Sequence, residues 1–191
     1  MLSWDILECA CKSCNRCGLS TTRNNVVVGK GNKKAKILLI GEGPGEKEDL
    51  SGIPFVGPAG QLLDKMLECI DLSMDDVYVA NVVKCRPPGN RDPLPEERER
   101  CIEYLRYQFA LLKPDVILCL GRIAAQSIIN PEFRITREHG KWFKKKNCWM
   151  IATYHPSALL RDVQKKKTAF EDLKILREKL DELGIAVKDI N

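Results

Sequence analysis

Apolar residues in this chain gather in four short, nearly continuous runs: Lys36–Gly41, Val77–Val83, Asp115–Gly121 and Trp149–His155. Runs of this length with β-branched members read as strands, and apolar residues at consecutive rather than alternate positions mean that both faces are covered. The stretches between them have helical periodicity. Pro58–Ile70 and Pro95–Leu112 each open on a proline, Arg122–Ile129 follows the third strand, and a last helix over about Thr168–Leu183 ends at Gly184. Strands alternating with helices predict an α/β three-layer sandwich, a four-stranded parallel sheet flanked by helices. No repeat or flexible linker divides the chain, so residues 1–191 are expected to form a single domain.

Composition narrows this picture only in places. The chain has 191 residues, 44% of them hydrophobic and 30% charged, which suits a globular protein with a packed core and excludes global disorder. No run of about 18 apolar residues exists and no basic flank leads into an apolar stretch at the N-terminus, so neither a membrane span nor a secretion signal is expected. Lys and Arg number 31 against 26 Asp and Glu, a net charge of +5 that permits nucleic-acid binding without requiring it.

Nine cysteines are unusual for such a chain. Cys9, Cys11, Cys14 and Cys17 crowd the first 17 residues, and Cys14 and Cys17 have the Cys-x-x-Cys spacing that turns two thiolates toward one metal centre. Cys85 follows the second strand, and Cys101 lies 15 intervening residues later in the next helix. Those four residues can enclose a tetrahedral zinc or an iron-sulfur cluster, and spacing alone leaves both open. Cys69, Cys119 and Cys148 sit in apolar stretches and read as core thiols.

In parallel sheets ligands bind beyond the carboxyl ends of the strands. The residues there are polar and specific. The first strand runs into Gly41-Glu42-Gly43-Pro44-Gly45 and then Glu46, Glu48 and Asp49; Glu46 breaks a dinucleotide fingerprint, and three acids repel a phosphate. Such a turn suits close approach of backbone amides to a flat, uncharged ligand. Phe55, lodged in Gly52-Ile53-Pro54-Phe55-Val56-Gly57, is a core plug or a stacking platform. Asn81 ends the second strand with an amide that both donates and accepts. His155, one of two histidines, leaves the fourth strand as a candidate proton donor or charge stabiliser, and Leu159, Leu160 and Arg161 join apolar wedge candidates to a cation. Basic runs at Lys30–Lys36, Arg134–Lys141, Lys144–Lys146 and Lys165–Lys167 are expected to line this same edge. His139 belongs with the second of them.

Together and in order, Gly41-Glu-Gly-Pro-Gly-Glu-Lys-Glu-Asp49, Gly52-Ile-Pro-Phe-Val-Gly-Pro-Ala-Gly60, Asn81-Val-Val-Lys-Cys-Arg-Pro-Pro88 and His155-Pro-Ser157 resemble the family 4 uracil-DNA glycosylases, the iron-sulfur branch of that superfamily. The resemblance covers nearly the whole chain. It implies a uracil-DNA glycosylase-like sandwich with a 4Fe-4S cluster on Cys14, Cys17, Cys85 and Cys101, settling the choice that spacing leaves open. It also implies hydrolysis of the N-glycosidic bond of uracil flipped out of single- or double-stranded DNA, leaving an abasic site. Phe55 would stack on the base, Asn81 would read its edge, and Glu48 would stand against C5. His155 would stabilise the leaving group at O2 with amides near Gly43, Glu42 would position water, and Leu159, Leu160 and Arg161 would fill the gap in the duplex. Cys85–Glu96 contains no histidine, so turnover rather than covalent trapping is expected. The resemblance further implies a cytoplasmic, nucleoid-associated monomer. The alternatives are a non-catalytic iron-sulfur DNA-binding or damage-sensing module and a metal-containing oxidoreductase.

Overall fold

Every residue of the strands β2 (Ile37–Gly41), β3 (Val77–Asn81) and β4 (Val116–Leu120) is buried, as the continuous apolar runs require. The computed structural model describes residues 3–185. With β6 (Cys148–Thr153) these strands form the parallel interior of one sheet, in the order β3-β2-β4-β6. Alternate side chains point to opposite layers. Leu38, Ile40, Tyr78, Ala80, Ile117 and Cys119 face one side, with Leu7, Tyr104, Leu105 and Ala124. Ile37, Leu39, Val77, Val79, Val116 and Leu118 face the other, with Leu63, Leu67, Leu173 and Leu176. The first layer carries α1 (Trp4–Lys12), α4 (Pro95–Leu112) and α5 (Arg122–Ile128). The second carries α3 (Pro58–Glu68), α7 (Pro156–Arg161) and α8 (Lys165–Glu182). Two short helices, α2 (Glu46–Ser51) and α6 (Ile135–Glu138), lie in the connections.

The expectation of a four-stranded, all-parallel sheet is corrected here: the sheet has six strands and is mixed. β1 (Lys30–Gly31) pairs antiparallel with β3, and β5 (Phe143–Lys145) pairs antiparallel with β6, closing the two edges. These strands have two and three residues and carry lysine and glycine where the interior strands carry aliphatics. Their extended form comes from the ladder offered by a neighbour, not from an apolar pattern of their own, which is how short edge strands commonly arise. Among the described residues no helix is long and apolar enough to cross a membrane.

Candidate active site

Parallel pairing puts Gly41 beside Asn81 at the carboxyl end of the sheet. At Gly41 a side chain would run into Asn81 Oδ1 and come within 2.8 Å of the Phe55 ring, so glycine there lets three segments meet. Asn81 is only 2% exposed, and its Oδ1 has no hydrogen-bond partner. A buried amide oxygen left unpaired costs stability unless a ligand supplies the donor.

The loop carrying Phe55 is held from several sides. Phe55 is buried and has a positive φ of 53°, a conformation costly for a bulky residue. Glu48 Oε1 accepts hydrogen bonds from Val56 N at 3.0 Å and Gly57 N at 2.8 Å, while Lys30 Nζ donates to the Phe55 carbonyl at 3.2 Å. Gly60, in the first turn of α3, packs so closely on the Phe55 carbonyl that no side chain would fit. The result is a fixed aromatic ring whose centroid lies 5.9 Å from that of His155, with the planes tilted by 32°.

His155 caps α7. Its Nδ1 accepts from Ser157 N at 3.2 Å and lies 2.7 Å from Ser157 Oγ. With the Nδ1 lone pair so used, the neutral ring carries its proton on Nε2. Burial, then Arg161, pushes the His155 pKa down to about 4 against an opposing pull from Glu48, so the neutral form prevails at pH 7. Glu42 shows the reverse shift. Burial, reinforced by Asp92, raises its carboxyl to about 7, although Arg122, Arg98 and Arg161 oppose the change. Asp92 in turn pairs with Arg122 at the start of α5. A carboxyl with that pKa suits exchanging a proton with water near neutral pH. Gly43 is packed against Val83, where a Cβ would come within 2.7 Å of Cγ2.

Glu42, Asn81 and His155 thus stand at strand exits, with Glu48 on the short helix α2 and Phe55 on the loop after it. The wedge residues divide: Leu159 is 1% exposed within the core beneath α7, whereas Leu160 is 45% exposed and Arg161 is exposed beside it. The basic runs divide as well. Lys36 precedes the start of β2, and Lys144 and Lys145 pair with Trp149 and Cys148 at the start of β6, which puts them at the opposite end of the sheet. Lys165, by contrast, lies over the ring of Tyr154 next to His155, and Lys30 reaches the Phe55 loop. His139 is no plain surface residue: its Nδ1 donates to Asp172 Oδ1 at 2.9 Å, and Thr153 Oγ1 donates to Asp172 Oδ2 at 2.6 Å.

The cysteines require a correction. Cys14, Cys17, Cys85 and Cys101, with Cys11, line one small cavity of about 10 Å³, room for about one water. Among the described residues no group of three or more His, Cys, Asp or Glu is placed to hold a metal ion. This finding overturns the expected 4Fe-4S cluster and the metal-binding character that goes with it. Two of the thiols accept hydrogen bonds within the protein: Lys84 N donates to Cys101 Sγ at 3.2 Å, and Arg23 Nη1 to Cys85 Sγ at 3.3 Å. Burial pushes the Cys11 thiol up to about 12 and that of Cys101 to about 11, and raises that of Cys85.

Sequence reasoning did not single out Lys84, Gln108 or Asp92 for a role at this site. The Lys84 side chain is buried, with Nζ donating to the Asn81 carbonyl at 2.8 Å and to Gln108 Oε1 at 2.6 Å. The one available signal was a lysine directly after the apolar Val82-Val83.

An α/β sheet whose strand exits present an aromatic face, an unpaired amide and a neutral imidazole is chemically suited to a flat, hydrogen-bonding ligand. Comparison with known proteins gives that class a family. The model of the uracil DNA glycosylase superfamily matches residues 28–174. The chain is 49% identical over 176 residues to a type-4 uracil-DNA glycosylase of Archaeoglobus fulgidus, covering 87% of each protein. It is 46% identical over 155 residues to one from Thermotoga maritima, covering 79% of this chain and 80% of that one. A third, from Sulfurisphaera tokodaii, is 43% identical over 175 residues, covering 87% and 80%. The chain therefore belongs to the uracil DNA glycosylase superfamily and, within it, to the type-4 uracil-DNA glycosylases.

Proposed function

We propose that this protein hydrolyses the N-glycosidic bond of uracil in single- or double-stranded DNA, releasing the free base and leaving an abasic site. It does so as a monomeric single domain acting on cellular DNA in the cytoplasm. The observation that carries this reading is the unpaired Oδ1 of Asn81, buried at Gly41 beside the ring of Phe55, which in turn lies against His155.

A base inside a duplex cannot reach these groups at the carboxyl end of the sheet, so it must be flipped out, and the exposed Leu160 with Arg161 fills the gap in the stack. Phe55 stacks on the extruded ring. Asn81 Oδ1 accepts from uracil N3–H while its amide nitrogen donates to O4; cytosine presents the opposite order and leaves both groups unpaired. Glu48, fixed by two backbone donors, walls the position where thymine carries a methyl group. As the bond to the sugar breaks, negative charge grows on the base. His155 Nε2–H then donates to O2, with backbone N–H groups near Gly43 assisting. Glu42 accepts a proton from the water that attacks the sugar carbon.

Incubation with an oligonucleotide carrying one uracil, followed by alkali, tests the proposal. Strand cleavage at that position alone is the expected result. No cleavage on either single- or double-stranded substrate by folded protein would overturn it.

A further inference from the structure

Lysine is among the residues least often fully buried, yet Lys84 is 1% exposed. Among the described residues no carboxylate forms an ion pair with it. Its Nζ donates instead to two neutral acceptors, the Asn81 carbonyl at 2.8 Å and Gln108 Oε1 at 2.6 Å. An apolar side chain such as those of Val82 and Val83, both fully buried, would occupy this place at far lower desolvation cost. A purely stabilising role therefore accounts poorly for the ammonium.

We infer that Lys84 is a positioning residue for base recognition: from beneath the exit of β3 it holds the main chain of Asn81, so that the side-chain amide keeps its place between Gly41 and the Phe55 ring. The inference rests on the role of Asn81 proposed above. The rest of the segment is tied by other groups. Val82 N donates to Gly41 O at 2.9 Å, Val83 N to Glu42 O at 3.1 Å, Lys84 N to Cys101 Sγ at 3.2 Å, and Val27 N to Lys84 O at 2.8 Å. Lys84 Nζ reaches back three residues to add the tie at Asn81 itself. Gln108, on α4, is aimed by its own bonds: its Nε2 donates to Val28 O at 2.9 Å and to Tyr78 OH at 3.3 Å. A tether from α4 through Gln108 and Lys84 thus ends on the residue that reads the base. Displacing a reading group by about 1 Å can cost about a hundredfold in rate.

The test is a double-mutant cycle on the full chain, using single-turnover release of uracil from an oligonucleotide. The amplitude gives the active fraction, and the rate constant reports only molecules that fold. Lys84→Met is expected to lower that rate constant about 10- to 100-fold. Its affinity for a uracil-free duplex should be unchanged. In an Asn81→Ala background, which keeps the main-chain carbonyl, the same substitution should change the rate less than about twofold. Gln108→Leu should act in the same direction by a smaller factor, and it supplies the cycle if Lys84→Met does not fold. An unchanged rate constant, or effects of the two substitutions that multiply in full, would overturn the role of Lys84 while leaving the glycosylase reading intact. A wild-type protein that releases no uracil would overturn that reading and the inference with it.

Discussion

Two polar clusters lie at the carboxyl end of the sheet, and they are built in opposite ways. Around Asp172, both carboxylate oxygens are taken, one by Thr153 and one by His139, and the ring of His139 lies against Tyr154 with centroids 5.2 Å apart. Gly140 packs so closely on this carboxylate that a Cβ there would stand 2.5 Å from Oδ1. Around Asn81 and His155 the network is open: Asn81 Oδ1 has no partner, and the proton-bearing Nε2 of His155 is the ring nitrogen not engaged by Ser157. Both clusters contain a histidine and an acid or amide at the edge of the same sheet. Satisfaction of hydrogen bonds, more than residue type, separates a fastening from a site, because an unpaired buried group is tolerated only where something else gains from it.

That contrast can be broken most sharply at His155. Removing a donor that acts on charge formed in the transition state typically costs about a hundred- to a thousandfold in rate. His155→Ala is therefore expected to reduce single-turnover uracil release by about that factor while the melting temperature stays nearly unchanged. A loss of fold instead would make His155 a fastening as well.

At the closed cluster the balance should reverse. Asp172→Ala leaves the hydroxyl of the fully buried Thr153 without an acceptor, a loss of about 2 kcal/mol. In a chain of this size that amounts to about 4–8 °C in melting temperature. Burial raises the Asp172 pKa, so the native state holds its proton more tightly than the unfolded chain, and the ionised form costs stability as pH rises past the unfolded value. Asp172→Asn keeps an acceptor for Thr153 and removes that charge, so thermal melts should place it much nearer the wild type. Equal losses for both variants would show that the charge itself holds the cluster.

A smaller effect is expected from pH. With the Glu42 carboxyl at about 7, uracil release should rise as pH increases through that value, about tenfold for each unit below it, while His155 stays neutral down to about 4. A pH–rate profile flat from 6 to 8 would remove Glu42 as the base. The smallest change belongs to the surface. Leu160→Ala should slow release from duplex DNA by only a few fold and leave single-stranded substrate unaffected, since only the duplex leaves a gap to fill. An equal effect on both substrates would take Leu160 out of the wedge.

Much of the candidate site was legible because its residues break a local pattern. Asn81 and His155 are polar residues at the ends of apolar runs, and a parallel sheet delivers all such ends to one edge. The interior strands were legible for the same reason, since burial on both faces leaves continuous apolar runs. The edge strands carried no such mark, because Lys30–Gly31 and Phe143–Lys145 are extended only by pairing with β3 and β6. The cysteine spacing misled. Five thiols do line one cavity, but spacing along a chain does not constrain the direction in which each sulfur points.

By itself, then, the amino-acid sequence determined the interior strands, the longer helices between and after them and the family to which this chain belongs, because each is written in local periodicity and in short motifs. Only the tertiary structure decided which end of the sheet each lysine run occupies and that Leu159 is core while Leu160 faces solvent. It alone brought Lys84 to Gln108, 24 positions away, beneath Asn81. These are questions of direction and contact between distant segments, and they are settled only when hydrophobic layers close on both faces of the sheet and each buried polar group must find a partner or be left for a ligand.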